Sequence, residues 1–256
     1  MTDDAIEKIM ADVVSHAAFT SYDADQTLTL EDGYRFQDAL ADRLVARGGR
    51  IGTAGWKIAA NAPQLLERFG LEEPLSGRVF KSQVHESPAN LSDTTFRQFA
   101  FEPEIAAIMK TGLSGTNISR QETASAIDRL VPAIELLDMR EVDMPSVRIA
   151  NVVAQNISNE GIVIGGPGIA PQDFDPDVVQ TEVSVDGKVE LQVTGAAPQN
   201  PIDAVAWLAD HLTKRGQRLE AGQVVLCGTH CPIWYHDKPG DIVVEMTDLG
   251  EVAMRL

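Results

Sequence analysis

The texture of the chain changes near Gly52, and this change limits the fold more than any other feature. Before it, apolar residues follow a helical period. After it, short apolar or alternating runs succeed one another between Gly, Pro, Asp and Asn turns. A period of two marks strands and a period near 3.6 marks helices. Residues 3–18 and 31–48 read as helices. In the second, Tyr34, Phe36, Ala39, Leu40 and Leu44 recur at helical spacing, and Gly48-Gly49 ends it. Strands are predicted at 52–59, 96–109, 132–138, 161–165, 181–185, 188–194, 223–228, 241–246 and 250–255. Asp186-Gly187 between two alternating runs signals a hairpin, and Asp248-Leu249-Gly250 the turn of a second. Three helices interrupt the strands. Residues 61–69 open with Asn61-Ala62-Pro63, residues 119–129 open with Ser119 and Glu122 as a capping box, and residues 200–215 open with Asn200 as cap and Pro201. The expected architecture is α+β, with an N-terminal helical segment over 1–50 and one strand-rich domain over 51–256.

Function classes are narrowed by charge. With 21 Lys and Arg against 38 Asp and Glu, the net charge is −17. Such a surface repels phosphate backbones and anionic membranes, so neither nucleic acid nor membrane is an expected partner. An anionic substrate would need a local positive site, a metal or a lysine. The two cysteines, Cys227 and Cys231, are too few for a disulfide framework. The start MTDDAIEKIM is charged and lacks an apolar signal region, and no apolar run reaches the ~18–20 residues of a membrane span, so the cytoplasm is expected.

The chemistry-bearing residues fall inside the strands. Phe101-Glu102-Pro103-Glu104-Ile105 puts two glutamates at i and i+2, on one face of a strand. Like charges that close are unfavourable unless a cation or proton intervenes. Glu135 stands alone in the apolar run Val131–Leu137. Three carboxylates without a nearby histidine suit a hard, oxygen-preferring ion. By spacing alone, solvated acids on an edge strand explain the pattern as well. Lys57, in Ala54–Ala60, is either a desolvated lysine or a snorkelling surface one. Gly165-Gly166-Pro167-Gly168 lacks the residues of a phosphate loop and reads as a turn. Cys227, His230 and Cys231 are too crowded for a zinc module. His16 and His211 read as surface residues on helices, while His85 and His230 fall in loops that could line a pocket.

Taken in order, G-W-K-I (55–58), F-E-P-E (101–104), A-I-E-L-L-D (133–138), N-I-S-N-E-G (156–161), the helix P-I-D-A-V-A-W-L-A (201–209) and the strand ending V-V-L-C-G (224–228) resemble the 2-keto-4-pentenoate hydratase / 4-oxalocrotonate decarboxylase family of the fumarylacetoacetase-like superfamily. The resemblance covers roughly residues 30–256. It implies a strand-rich mixed β-roll or sandwich, a homo-oligomer, a small 2-oxo acid as substrate, and Mg²⁺ or Mn²⁺ held by Glu102, Glu104 and Glu135. It also implies that Lys57 is the active-site lysine and that Ser158, with Gln155 and Asn156, binds substrate. Two departures stand out. Ser82 occupies the position of a proton-transferring aspartate, and Gln155-Asn156 replaces an Asp-Asn pair. The expected activity is hydration of a 2-hydroxydienoic acid through an enolate. Alternatives are decarboxylation of a vinylogous 2-oxo diacid, C–C hydrolysis of an acylpyruvate with His85 as base, and an inactive metal-binding scaffold.

Overall fold

The computed structural model describes residues 3–23 and 27–256. Two helices come first, α1 (Asp3–Val14) and α2 (Leu30–Ala46). Then follow β1 (Thr53–Ala59), α3 (Pro63–Phe69), β2 (Leu75–Phe80), β3 (Val84–Glu86), β4 (Ala89–Asn90), β5 (Phe99–Met109), α4 (Arg120–Ala126) and β6 (Ile127–Asp138). Next come α5 (Ile149–Ala154), β7 (Asn159–Ile164), β8 (Gly166–Pro167), β9 (Gln180–Val185) and β10 (Lys188–Thr194). The chain ends with α6 (Pro201–Lys214), β11 (Val224–Thr229), β12 (Trp234–Tyr235), β13 (Asp241–Met246) and β14 (Gly250–Arg255).

The strands form two mixed sheets. The larger runs β2-β1-β11-β5-β6-β7-β3, with β12 beside β5; the smaller runs β10-β9-β13-β14-β4, with β8 beside β14. Between them lies the main core, where Phe101, Ile105, Ile134, Leu136 and Val163 of the larger sheet meet Val183, Ile242, Val244 and Val252 of the smaller, with Val205, Leu208 and Leu212 of α6. The other face of the larger sheet carries Val79, Ala106, Val131, Ala133, Ile162, Val224 and Leu226. That sheet curls, so that β2 comes to lie beside β7, without closing into a barrel. Helices α1 and α2 pack through Ile6, Ile9, Phe36, Leu40 and Leu44 onto Phe80 and Ala150. Among the described residues no helix is long and apolar enough to cross a membrane.

The expected hairpins form. Asp186 and Gly187 both take positive φ (50° and 76°), as a tight turn between twisted strands requires. Elsewhere the structure differs from the expectation. The helix predicted over 119–129 stops at Ala126, and Ile127 already begins β6, which runs 12 residues rather than the expected 132–138. Helix α5 was not expected, because Ile149-Ala-Asn-Val-Val-Ala is a β-branched run whose helical state is set by packing rather than propensity. Asn61 does not cap α3; Ala62 does, and Asn61 Nδ2 donates to Cys227 O at 2.9 Å. His211 is not at the surface. It is buried, stacked on Trp207 (ring centroids 4.9 Å) and tilted against Tyr34, and burial followed by the nearby Arg215 lowers its pKa to about 4. His16 lies just past α1, half-buried, with Nδ1 2.8 Å from Asp138 Oδ2.

Candidate metal centre

Register brings the acids together. In the antiparallel β5–β6 pair Glu102 lies opposite Glu135 and Glu104 opposite Ala133. Side chains directly opposite share a face, so all three carboxylates project from the face opposite the main core. Lys57 reaches that face through β1 and β11, because Lys57 pairs with Leu226 and Leu226 with Ala106. One oxygen from each of Glu102, Glu104 and Glu135 lies within 4.8 Å of the others. The solvated-acid alternative does not survive. Glu104 is 1 % exposed, Glu135 0 %, Glu102 9 % and Lys57 2 %.

Hydrogen bonds fix the cluster. Glu135 Oε1 accepts from Lys57 Nζ at 2.9 Å and from Asn159 Nδ2 at 2.8 Å. Glu104 Oε2 accepts from the backbone N–H of Gly228 at 2.7 Å. Gly228 has φ +108°, and a Cβ there would lie 2.5 Å from Asn61 Oδ1, so only glycine presents that N–H. Gly77 lies opposite Lys57, where a Cβ would crowd Lys57 Cγ at 3.1 Å. Sequence reasoning missed Asn159. Its signal was an asparagine just ahead of the apolar run 161–164.

Burial decides the electrostatics. It pushes the Glu102 pKa up to about 8, with the Glu135 charge adding to the effect. Glu104 is also raised, by burial first and then by Glu135 and Glu102. For Lys57 burial acts to lower the pKa, but the fields of Glu135, Glu102 and Glu104 outweigh it and hold the ammonium charged. With all acids ionised the cluster carries −3 + 1 = −2. A divalent cation would balance that charge, and Glu135 Oε2 is buried without a hydrogen-bond partner among the described residues. The oxygen-only donor set therefore fits a hard divalent ion.

The fit predicts a pH dependence. Glu102 has a folded pKa above its ordinary value, so in metal-free protein its stabilising contribution is complete at acid pH and lost as pH rises through about 8. A cation that replaces the proton should help most where the proton is lost. The rise in Tm on adding excess Mg²⁺ over EDTA is expected to grow between about pH 6 and pH 9. A difference that shrinks over that range would count against these carboxylates as the binding site.

The other expected site residues scatter. Asn156, Ile157 and Ser158 all take positive φ (58°, 51° and 57°), a left-handed run costing about 1–2 kcal/mol per residue. Asn156 anchors it, accepting from Arg78 N at 2.7 Å and donating to Arg78 O at 2.9 Å. The turn thus delivers Asn159 to Glu135, while the Asn156 carboxamide is engaged at both its oxygen and its nitrogen. Gln155 also points elsewhere, accepting from Arg140 Nη2 and donating to Thr20 O. Ser158 is half-buried and lines a small cavity with Asn159. Ser82 is exposed, and its hydroxyl accepts from Ile51 N; its neighbour Gln83 is the residue of that turn that enters the interior. His85 lies in β3 rather than a loop, and pairs with Val163, which faces the main core. It therefore sits on the wrong face to serve the carboxylates. His230 turns toward the second sheet, with Nδ1 2.7 Å from Thr181 Oγ1, and burial lowers its pKa to about 4.

Comparison with known proteins follows the same lines. The profile of the fumarylacetoacetate (FAA) hydrolase C-terminal domain matches residues 80–256. A 2-keto-4-pentenoate hydratase from Burkholderia vietnamiensis is 30 % identical over 220 residues, which is 86 % of this chain and 83 % of that protein. A 4-oxalocrotonate decarboxylase from a Pseudomonas species is 26 % identical over 216 residues, 84 % of this chain and 82 % of that one. Among solved structures, the 4-oxalocrotonate decarboxylase from Pseudomonas putida G7, complexed with magnesium and adipate, has a TM-score of 0.89 at 24 % identity, covering 100 % of this chain and 98 % of that one. This last likeness shows the fold, and it agrees with the expected α+β roll.

Proposed function

This chain belongs to the fumarylacetoacetate (FAA) hydrolase family, and from that premise we propose that it is a divalent-metal-dependent lyase hydrating a small 2-hydroxydienoic acid through an enolate. The observation that carries the proposal is the buried cluster of three carboxylates against one ammonium. Relatives named as hydratases and as a decarboxylase support the reaction class. Neighbours in the fold are complexed with magnesium, calcium or manganese. Of these, Mg²⁺ or Mn²⁺ is proposed here, with Glu102, Glu104 and Glu135 as ligands.

When bound, the ion supplies Lewis acidity to the C1 carboxylate and C2 oxygen of the substrate. The chain's own residues do the rest. Lys57, held charged on Glu135, donates a hydrogen bond to the oxygen where negative charge develops, or passes a proton there. Asn159 and the Gly228 N–H orient Glu135 and Glu104. Ser158 is the residue proposed to meet the substrate carboxylate. Gln155 and Asn156 act through the backbone they hold, and neither Ser82 nor His85 is assigned a step.

The test is product analysis by NMR with Mg²⁺ or Mn²⁺ and three substrates. 2-Hydroxypenta-2,4-dienoate is expected to give a 4-hydroxy-2-oxo acid. Release of CO₂ from a vinylogous 2-oxo diacid alone would reassign the protein as a decarboxylase. Cleavage of an acylpyruvate alone would make it a C–C hydrolase. Full turnover after exhaustive chelation would remove the metal from the proposal, and metal binding without any turnover would leave a scaffold.

A further inference from the structure

Between α2 and the start of β7 lies a cavity of about 20 Å³. Beside Ser158, the residue proposed above to meet the substrate carboxylate, its lining includes four polar side chains: Gln37 of α2, Gln83 of the turn before β3, Arg140 just past β6, and Asn159 at the start of β7. All four are more than nine-tenths buried. Each also has one polar atom without a hydrogen-bond partner among the described residues: Gln37 Oε1, Gln83 Oε1, Arg140 Nη1 and Asn159 Oδ1. Buried polar groups are normally paired, and each unpaired one costs about 1–3 kcal/mol. Unpaired atoms on four residues lining one small cavity therefore call for a polar occupant.

The amide orientations are fixed by their other ends. Gln37 Nε2 donates to Ser76 O and Val153 O, and Gln83 Nε2 to Glu160 O and Oε2. Asn159 Nδ2 donates to Glu135 Oε1. Turning any of them over would set oxygen against oxygen, so the free atoms are three acceptors and one cationic donor. A cation would meet the Arg140 guanidinium, and an anion would meet the three carbonyl oxygens. The other charged groups lining the cavity, Arg50, Asp138 and Glu160, include both signs. A neutral molecule that both donates and accepts fits. One water needs roughly 10–15 Å³ and two to four polar partners.

We propose that this cavity holds an ordered structural water that accepts from Arg140 Nη1 and donates to Asn159 Oδ1 and to Gln83 Oε1, the glutamine whose amide already bonds Glu160 next to Asn159; its two protons leave Gln37 Oε1 unserved. The water makes Asn159 a positioning residue. Its carboxamide is held on both sides, by the water and by Glu135 Oε1, and so aims Glu135 at the metal. The inference rests on the metal reading above, and partners of metal ligands of this kind commonly matter by 10–100-fold in metal affinity.

The test has two parts, neither of which depends on turnover. A high-resolution crystal structure of the full chain is expected to show one water within hydrogen-bond distance of Arg140 Nη1 and Asn159 Oδ1. A dry cavity, or an ion in it, overturns the proposal. Calorimetric titration with Mn²⁺ is expected to show Kd weakened up to about 10-fold in Arg140→Met, the low end for direct partners of metal ligands because Arg140 acts through the water and Asn159, at a temperature where the variant remains folded by circular dichroism. If that variant does not fold, Gln83→Met gives the same readout. An unchanged Kd overturns the coupling to Glu135. A parent chain that binds no Mn²⁺ would defeat the metal reading, and with it the coupling, while the water would still stand or fall on the density.

Discussion

Glu135→Gln is expected to destabilise the metal-free protein by about 3 kcal/mol, whereas Glu104→Gln should cost far less and become more favourable relative to the parent as pH rises. The two acids look alike in sequence, but their surroundings differ. Glu135 accepts from the buried Lys57 ammonium and from Asn159. Removing one partner of a buried ion pair typically costs 3–5 kcal/mol, because the other charge is stranded. The lower end applies because loss of the Glu135 charge removes repulsion that raises the Glu102 and Glu104 pKa values, which favours an ionised acid beside Lys57. Among the described residues Glu104 receives the Gly228 N–H alone, and its ionised form is disfavoured by burial and by its two acidic neighbours. A glutamine keeps the acceptor and the volume while removing the charge that becomes costly as pH rises. Both variants should still lose turnover, by about 10²–10³-fold or more, since each removes charge that the cation needs. Urea melts in EDTA at pH 7 and pH 9 distinguish the pair. Equal shifts for the two variants would show that Lys57 is not specifically paired with Glu135.

Much of this site was legible because its pieces are local. Glu102 and Glu104 sit at i and i+2, and on a strand that spacing fixes a shared face whatever the strand pairs with. The apolar context of Lys57 and Glu135 likewise pointed inward. What could not be read was register. Nothing local states that Glu102 lies opposite Glu135, or that Lys57 reaches the same face through β11. Those contacts join residues tens of positions apart. The same limit misplaced His85, whose face is set by its pairing with Val163, and Ser82, whose turn buries the next residue, Gln83. His211 looked like a surface residue because a helix pattern does not reveal that Tyr34 of another helix covers it. Asn159, Gly228 and Arg140 were overlooked because their work is done through backbone geometry and partners that only the folded chain assembles.

Lys57→Met is expected to lower kcat by about 10²–10⁴-fold, the usual range for a positioned acid–base group, with a much smaller change in KM. Methionine keeps most of the apolar stem that fits beside Gly77 and removes only the charge and its donors. A Lys57 that acts on charge developing during reaction contributes mainly in the transition state, so its loss appears in kcat. There is a rival explanation, in which Lys57 merely balances the carboxylates and its removal spoils the metal site. Metal affinity separates the two. The ammonium lies 2.9 Å from Glu135 Oε1 and repels a cation held by the same carboxylate. Removing it should leave Mn²⁺ binding unchanged or tighter. A fall in kcat with metal affinity intact or improved assigns Lys57 to the chemistry. An unchanged kcat, or a kcat that falls only in step with weakened Mn²⁺ binding, would reduce Lys57 to a counter-charge.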